Sequence, residues 1–430
     1  MTRAVLLPTW LERSVGNENA GIPGWFADFR QQQREAFIQT GIPTRQDERW
    51  KYADLSFLTQ HQFVSSEQCV EAEQLQDVIH QHRLRQGDSI LLVLVNGFFM
   101  PSLSDLAKLP PQVIACSMQE ALSSHPELIK AHWPQAAETK QYPFASLNAA
   151  MCMDGLFFYL PDQCALAAPL HLLSLVINEQ EWIACPRHLF ILGEHSRLTV
   201  AEEHFSLSSH RYLMNMVTTM TIGKHAQLKH IKIQQEGRKA IHLAHTFVTQ
   251  QQDSEAAFTY FSFGSQFARD ELAVKLEGPG AICDTSGFYH LQHDNQYIDH
   301  HVEIDHNAAH SQSQMLYKGI LDKKSRAVFN GRLYVKQEAK KILAYQANHN
   351  LLLSHSAEVY SKPELEIYAD DVKCKHGATT GQLDHDALFY MRARGIDKAE
   401  AIAILLRGFA EEITQRITHP GIKMRVQEML

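Results

Sequence analysis

Two side chains able to hold a metal stand close together near the end of the chain. Cys374 and His376 are two residues apart within LEIYADDVKCKHGATTGQ, residues 365–382. In an extended strand this spacing puts both on one face. A thiolate beside an imidazole suits a soft metal or an iron–sulfur cluster. Two ligands do not complete such a site, so the others must come from elsewhere, including from another chain. The alternative reading makes Cys374 a small core residue and His376 a turn residue ahead of Gly377. Asp370-Asp371 reads more simply as a solvated loop than as a ligand pair. His300-His301 are neighbours, so in a strand they face opposite ways and do not easily share one ion.

The remaining chemistry-bearing patterns are absent. The seven cysteines of the 430 residues contain no C-x-x-C pair. That excludes a self-contained four-cysteine cluster site and argues for a reducing compartment without a disulfide framework. Cys152 and Cys283 read as core residues. No phosphate-cradling glycine loop and no G-x-S-x-G elbow occurs; Gly278-Pro279-Gly280 is a turn, so no enzyme activity is expected. The net charge is −8 and no basic run appears, which argues against nucleic acid and an anionic membrane as partners. The longest clear apolar run, Ile90 to Val95, is far short of a spanning helix. The short patch Ala4–Leu7 is interrupted by Pro8 and Glu12. A cytoplasmic protein is therefore expected. The 25 histidines mostly fit polar surface and satisfied core positions.

These residues must be positioned by three kinds of sequence. Residues 1–165 read as helical and mixed α/β. Apolar residues from Gly24 to Thr40 recur at helical spacing and stop at Gly41-Ile42-Pro43. A second helical pattern runs from Glu71 to Arg85, and Ser89–Val95 is a buried strand closed by Asn96-Gly97. Residues 166–383 are strand-like throughout, with alternation clearest at Met214, Met216, Thr218, Met220 and Ile222. Turns of polar, polar, small, polar type recur at Ser196 and Ala226, thirty residues apart, and later at Ala308, Ser325, Ala339 and Ala357 at about half that spacing. Repeated strand–turn units suggest a β-solenoid, with a β-sandwich as the alternative. Residues 384–430 return to helix. Asp384 and Asp397 are N-caps, Gly395 a helix end, and Ile402, Leu405, Leu406, Phe409, Ile413 and Ile417 one apolar stripe. Pro420 and Gly421 end it.

The segment 365–396, with YADDVKCKHGAT, QLD, ALFY and RGI, resembles the C-terminal signature of the SufB/SufD family of the SUF iron–sulfur cluster assembly system. Pro43-Thr44-Arg45, Trp50-Lys51-Tyr52, Val95-Asn96-Gly97, Leu147-Asn148, Tyr317-Lys318-Gly319, Phe329-Asn330-Gly331 and Tyr345-Gln346-Ala347-Asn348 also match, so the resemblance covers nearly the whole chain. A clustered N-terminal cysteine motif typical of SufB is missing, which favours the SufD side; His355 departs from the family pattern. The resemblance implies a mainly β protein, with a right-handed parallel β-helix between helical ends. It implies a non-catalytic scaffold role in a SufBCD complex with SufB and the ATPase SufC, or a homodimer when SufB is absent. It also implies a transient iron–sulfur cluster shared with SufB, with His376 the favoured ligand and Cys374 a weaker one. The C-terminal residues Leu405, Leu406, Arg407 and Phe409 are the expected contacts to SufC. A structural partner without ligands and a carbohydrate-active β-helix are the rival functions. The latter lacks the acidic residues repeated at rung spacing that such a site needs.

Overall fold

A computed structural model of the chain describes Pro8, Trp10, Leu11 and residues 22–66, 75–133 and 141–430. Ala4–Leu7, Glu12, Cys69 and the start of the Glu71–Arg85 pattern lie outside these residues. The body is a parallel β-solenoid of about eight turns with helices at both ends. Its strands alternate between two sheets. In one sheet Tyr212–Ile222 pairs with Ala240–Gln250, which pairs with Phe267–Leu276. In the other, Gln227–Gln235 pairs with Glu255–Ser262.

The corners explain the spacing of small residues. Ser196, Ala226, Ser254, Ala281 and Ser311 stack in one column and are almost fully buried. Each follows a residue in the left-handed region: His195, His225, Asp253, Gly280 and His310, with φ between 51° and 74°. The chain reverses so tightly there that only a small side chain fits inside the bend. The hydroxyls of Ser196, Ser254 and Ser311 donate to the carbonyls of Gly193, Gln251 and Ala308, which ties each bend to itself.

The sheets begin within the N-terminal region. Ile90–Val95 pairs in parallel with Leu170–Val176, and Leu156–Leu160 with Arg187–Leu192. Asn96 and Gly97, both at positive φ, turn the first of these strands back onto Phe98–Phe99. The helix Gly24–Thr40 spans the expected residues and ends at Gly41, φ 72°. Trp50, Phe144 and Leu147 pack on the outward-facing Leu213, Leu243 and Tyr297. One outer face of the solenoid is thereby buried as well as its interior.

At the other end, the two last strands have no further turn above them. Glu358–Ile367 and Val372–Gly381 each pair on one side only. The Glu358 and Tyr368 amides donate to Ser325 and Val335 of the neighbouring strand. Even-numbered residues therefore face that neighbour, and Pro363 turns its nitrogen, which has no hydrogen, to the free edge. A proline there blunts the edge without costing a ladder bond. In the other edge strand the parity is reversed, because the Asp371 carbonyl accepts from Lys341. The backbone groups of Cys374, His376, Ala378 and Thr380 thus face the open side.

Three C-terminal helices follow: His385–Ala393, Lys398–Thr414 and Pro420–Gln427. Asp384 and Asp397 cap the first two through their side chains, and Gly395, φ 89°, closes the first. The expected end at Pro420-Gly421 is corrected. The long helix stops at Thr414, and Pro420 opens a third helix whose cap is the His419 side chain. Proline is compatible with a first turn, where its missing N–H would have had no partner, and the sequence pattern does not separate that use from a stop.

Candidate metal centre

Cys374 and His376 lie on the last strand of the solenoid, and their register gives their direction. Cys374 is aligned with Ala344 and His376 with Gln346 of the strand below. Ala344 and Gln346 are buried, and Cys374 packs partly against the interior cluster of the solenoid. Both candidate ligands therefore sit on the inward face at its open mouth. Cys374 is half-buried and His376 exposed, because no further turn covers it. Across the mouth the other edge strand places Pro363 and Leu365, aligned with Gly331 and Leu333. Burial pushes the Cys374 thiol up from its ordinary value, which disfavours the thiolate a metal needs.

Among the described residues, no three His, Cys, Asp or Glu side chains are arranged to hold a metal ion. Cys374 and His376 are two donors, fewer than an iron–sulfur cluster takes, so on their own they would make only part of such a site. Asp370 and Asp371 are exposed in the link between the two edge strands and bring no third ligand to the mouth. His300 and His301 face opposite sides: His300 lies 3.3 Å from Ser262 in the interior, and His301 lies 3.0 Å from Asp299 on the outer face. Cys152 and Cys283 are buried.

The interior holds a feature that the sequence analysis passed over. Part of it is apolar, but another part is a continuous run of charged and polar groups. Glu202 lies 2.7 Å from His204 and 2.8 Å from His230. Lys232 lies 2.5 Å from Asp270 and 3.0 Å from His242, and His242 lies 2.7 Å from Glu236. Nearer the mouth come Tyr289, Asn348 and Asn350, hydrogen-bonded to one another. Burial drives the Asp270 carboxyl up, but the charges of Lys232 and His242 prevail and hold it at about 2. Glu236 is likewise held at about 2, burial being outweighed by His242. The available signal was the alternation of Glu202 with His204 and of His230 with Lys232 and Gln234. It reads as a solvated face unless the strand is known to be covered on both sides.

The C-terminal helices divide the expected docking residues. Leu406 and Phe409 lean on the solenoid beside Leu316 and Ile320, and Lys318 sits 4.2 Å above the Phe409 ring. Leu405 is half-buried and Arg407 exposed. The most exposed apolar groups here are Phe389 (75% exposed), Tyr390 (59%) and Ile404 (42%); the first two belong to the ALFY motif, and none was expected as a docking contact.

A parallel β-solenoid of about eight turns between helical ends is the architecture on which Cys374 and His376 stand. Residues 175–409 match the SufBD core domain of SUF-system FeS cluster assembly, and residues 19–172 match the SufBD N-terminal region. The chain is 32% identical to the iron–sulfur cluster assembly protein SufD of Escherichia coli, over 92% of this chain and 90% of the relative. It is 31% identical to an iron–sulfur cluster assembly SufBD family protein of Synechocystis, over 90% and 86%. It is 23% identical to SufD of Bacillus subtilis, over 74% and 73%. The chain belongs to the SufB/SufD family of iron–sulfur cluster assembly proteins, on its SufD side.

Proposed function

We propose that this chain is a non-catalytic scaffold subunit that joins SufB and the ATPase SufC in the cytoplasm and completes, at its open end, a site where SufB holds a nascent iron–sulfur cluster. The observation that carries this reading is the position of His376. It is an exposed imidazole on the inward face of an edge strand that is open on one side, with one half-buried cysteine beside it and, among the described residues, no third ligand within reach. A second solenoid end placed against this mouth would add the missing donors and cover the free backbone groups of Val372–Gly381. Imidazole binds iron–sulfur clusters less firmly than thiolate, and burial disfavours the Cys374 thiolate. A mixed site of this kind releases its cluster readily, which suits assembly and transfer rather than storage. The cluster is the cargo of the site. The chain's own residues position it: His376 donates a ring nitrogen, and the solenoid keeps the mouth rigid.

The test is cluster formation in the complex co-expressed with SufB and SufC. His376→Ala is expected to lower the cluster yield severalfold while the three subunits still co-purify, since one exposed side chain contributes little to a large interface. Cys374→Ala is expected to do less. Wild-type yield in the His376→Ala complex would remove the ligand role and leave a purely structural partner.

A further inference from the structure

We propose that Gln346 is a positioning residue for His376. With the His376 ring turned inward, the Gln346 side-chain oxygen would accept a hydrogen bond from one ring N–H, fix the tautomer, and leave the other ring nitrogen as the donor to the cluster. This rests on the ligand reading of His376 given above.

The two residues are register partners in the parallel ladder, so their backbones are about 4.8 Å apart and their side chains share the inward face. Gln346 is 4% exposed. Its Nε2 donates to the Gly331 carbonyl at 2.8 Å. That bond settles which end of the amide is which, because the reverse orientation would set two acceptors against each other. The amide is seated closely. A Cβ on Gly331 would lie 2.2 Å from Gln346 Nε2 and 2.8 Å from Met315 Sδ, so the slot exists because residue 331 has no side chain.

The other end of the amide is the telling one. Gln346 Oε1 is buried and has no partner among the described residues. A buried acceptor left so is destabilising, and a leucine or methionine of similar size would avoid the cost. The strand below cannot supply a donor, because the residue aligned with Gln346 there is Met315. The strand above offers His376, whose exposed ring does not make this bond in the structure and would make it by turning inward. A histidine that ligates a metal commonly donates its other N–H to a carbonyl or carboxylate, which orients the ring and sets the tautomer. The Gln346 carbonyl is in place for that role before a partner chain arrives.

The test uses the full chain labelled with ¹⁵N-histidine, without cluster, and reads the His376 ring nitrogens by NMR. The signals are assigned by their loss in His376→Ala. Wild type is expected to show a single neutral tautomer. Gln346→Met, which keeps the volume over Met315, is expected to give a mixture of tautomers. In the SufB complex Gln346→Met is expected to weaken cluster retention by about tenfold, the scale of a lost outer-shell partner. An identical His376 tautomer in wild type and Gln346→Met overturns the inference. That failure is separate from failure of the ligand reading, which the cluster yield of His376→Ala decides with Gln346 intact.

Discussion

Replacing Lys232 by methionine would strand a carboxylate inside the solenoid. Lys232 and Asp270 are 2% and 4% exposed, 2.5 Å apart, and the ammonium also lies 3.0 Å from His242. Removing one partner of a buried pair costs about 3–5 kcal/mol, far more than the pair contributes against a neutral replacement, because the remaining charge is desolvated and alone. Against a typical total of about 5–15 kcal/mol, the loss would be plain in a urea unfolding curve followed by tryptophan fluorescence. Lys232→Met with Asp270→Asn should recover much of it, since neither charge is then present. The pH dependence has a definite sign. In the native chain Asp270 sits at about 2, below the unfolded value near 3.9, so its contribution is present at neutral pH and fades as pH falls through that window. In Lys232→Met burial, the largest influence, is opposed only by the charges of His242 and His300, and is expected to lift the carboxyl above its unfolded value. Its contribution is then kept in acid and lost as pH rises, so the deficit of the variant grows from pH 4 to 7. A loss under about 1 kcal/mol at pH 7, or no recovery in the double variant, would refute the reasoning, since both magnitudes derive from one desolvated pair.

Other consequences can be checked directly. Burial holds the imidazoles of His188 and His306 at about 4, below the unfolded 6.5; stability should therefore fall as pH drops from 6.5 to 4, and His306→Gln should flatten that slope in unfolding midpoints. Ile404→Asp combined with Phe389→Ser should abolish co-purification with SufC at an unchanged midpoint. Phe409→Ala, by contrast, should lower the midpoint, because that ring lies under Lys318; retained SufC binding by the folded double variant would exclude the exposed patch as the docking face. Ala378→Pro removes an edge-facing N–H without breaking the ladder, so light scattering should show weaker pairing with SufB and a smaller homodimer fraction when the chain is alone. An unaltered mass distribution would mean that pairing does not use this edge.

Local rules made the helix Gly24–Thr40 and the Asp384 and Asp397 caps legible, because each depends on a few adjacent residues. The thirty-residue interval between Ser196 and Ala226 likewise carried the solenoid, since one bend requires one small residue per turn. The spacing of Cys374 and His376 put them on a common face. That this face points inward, on the strand where the solenoid stops, depends on register across many turns and leaves no local mark. The polar interior was hidden for a related reason. With Ile413, Ile417 and Ile422 of the C-terminal region covering the outward Ala201, Ile231 and Ile233 of those strands, the alternation of charged and apolar residues no longer separates solvent from core. At Pro420 the local rule itself is ambiguous, as proline serves a helix start as readily as a helix end.

The central claim is that a nitrogen of this chain binds the cluster, and pulsed electron paramagnetic resonance addresses it most directly. This chain alone would carry ¹⁵N-histidine in a complex otherwise unlabelled, with the cluster reduced to a paramagnetic state. The account predicts a ¹⁵N hyperfine coupling of ligand strength in the wild-type complex and its loss in His376→Ala. A wild-type cluster with no ¹⁵N coupling, or a coupling that survives His376→Ala, would contradict it.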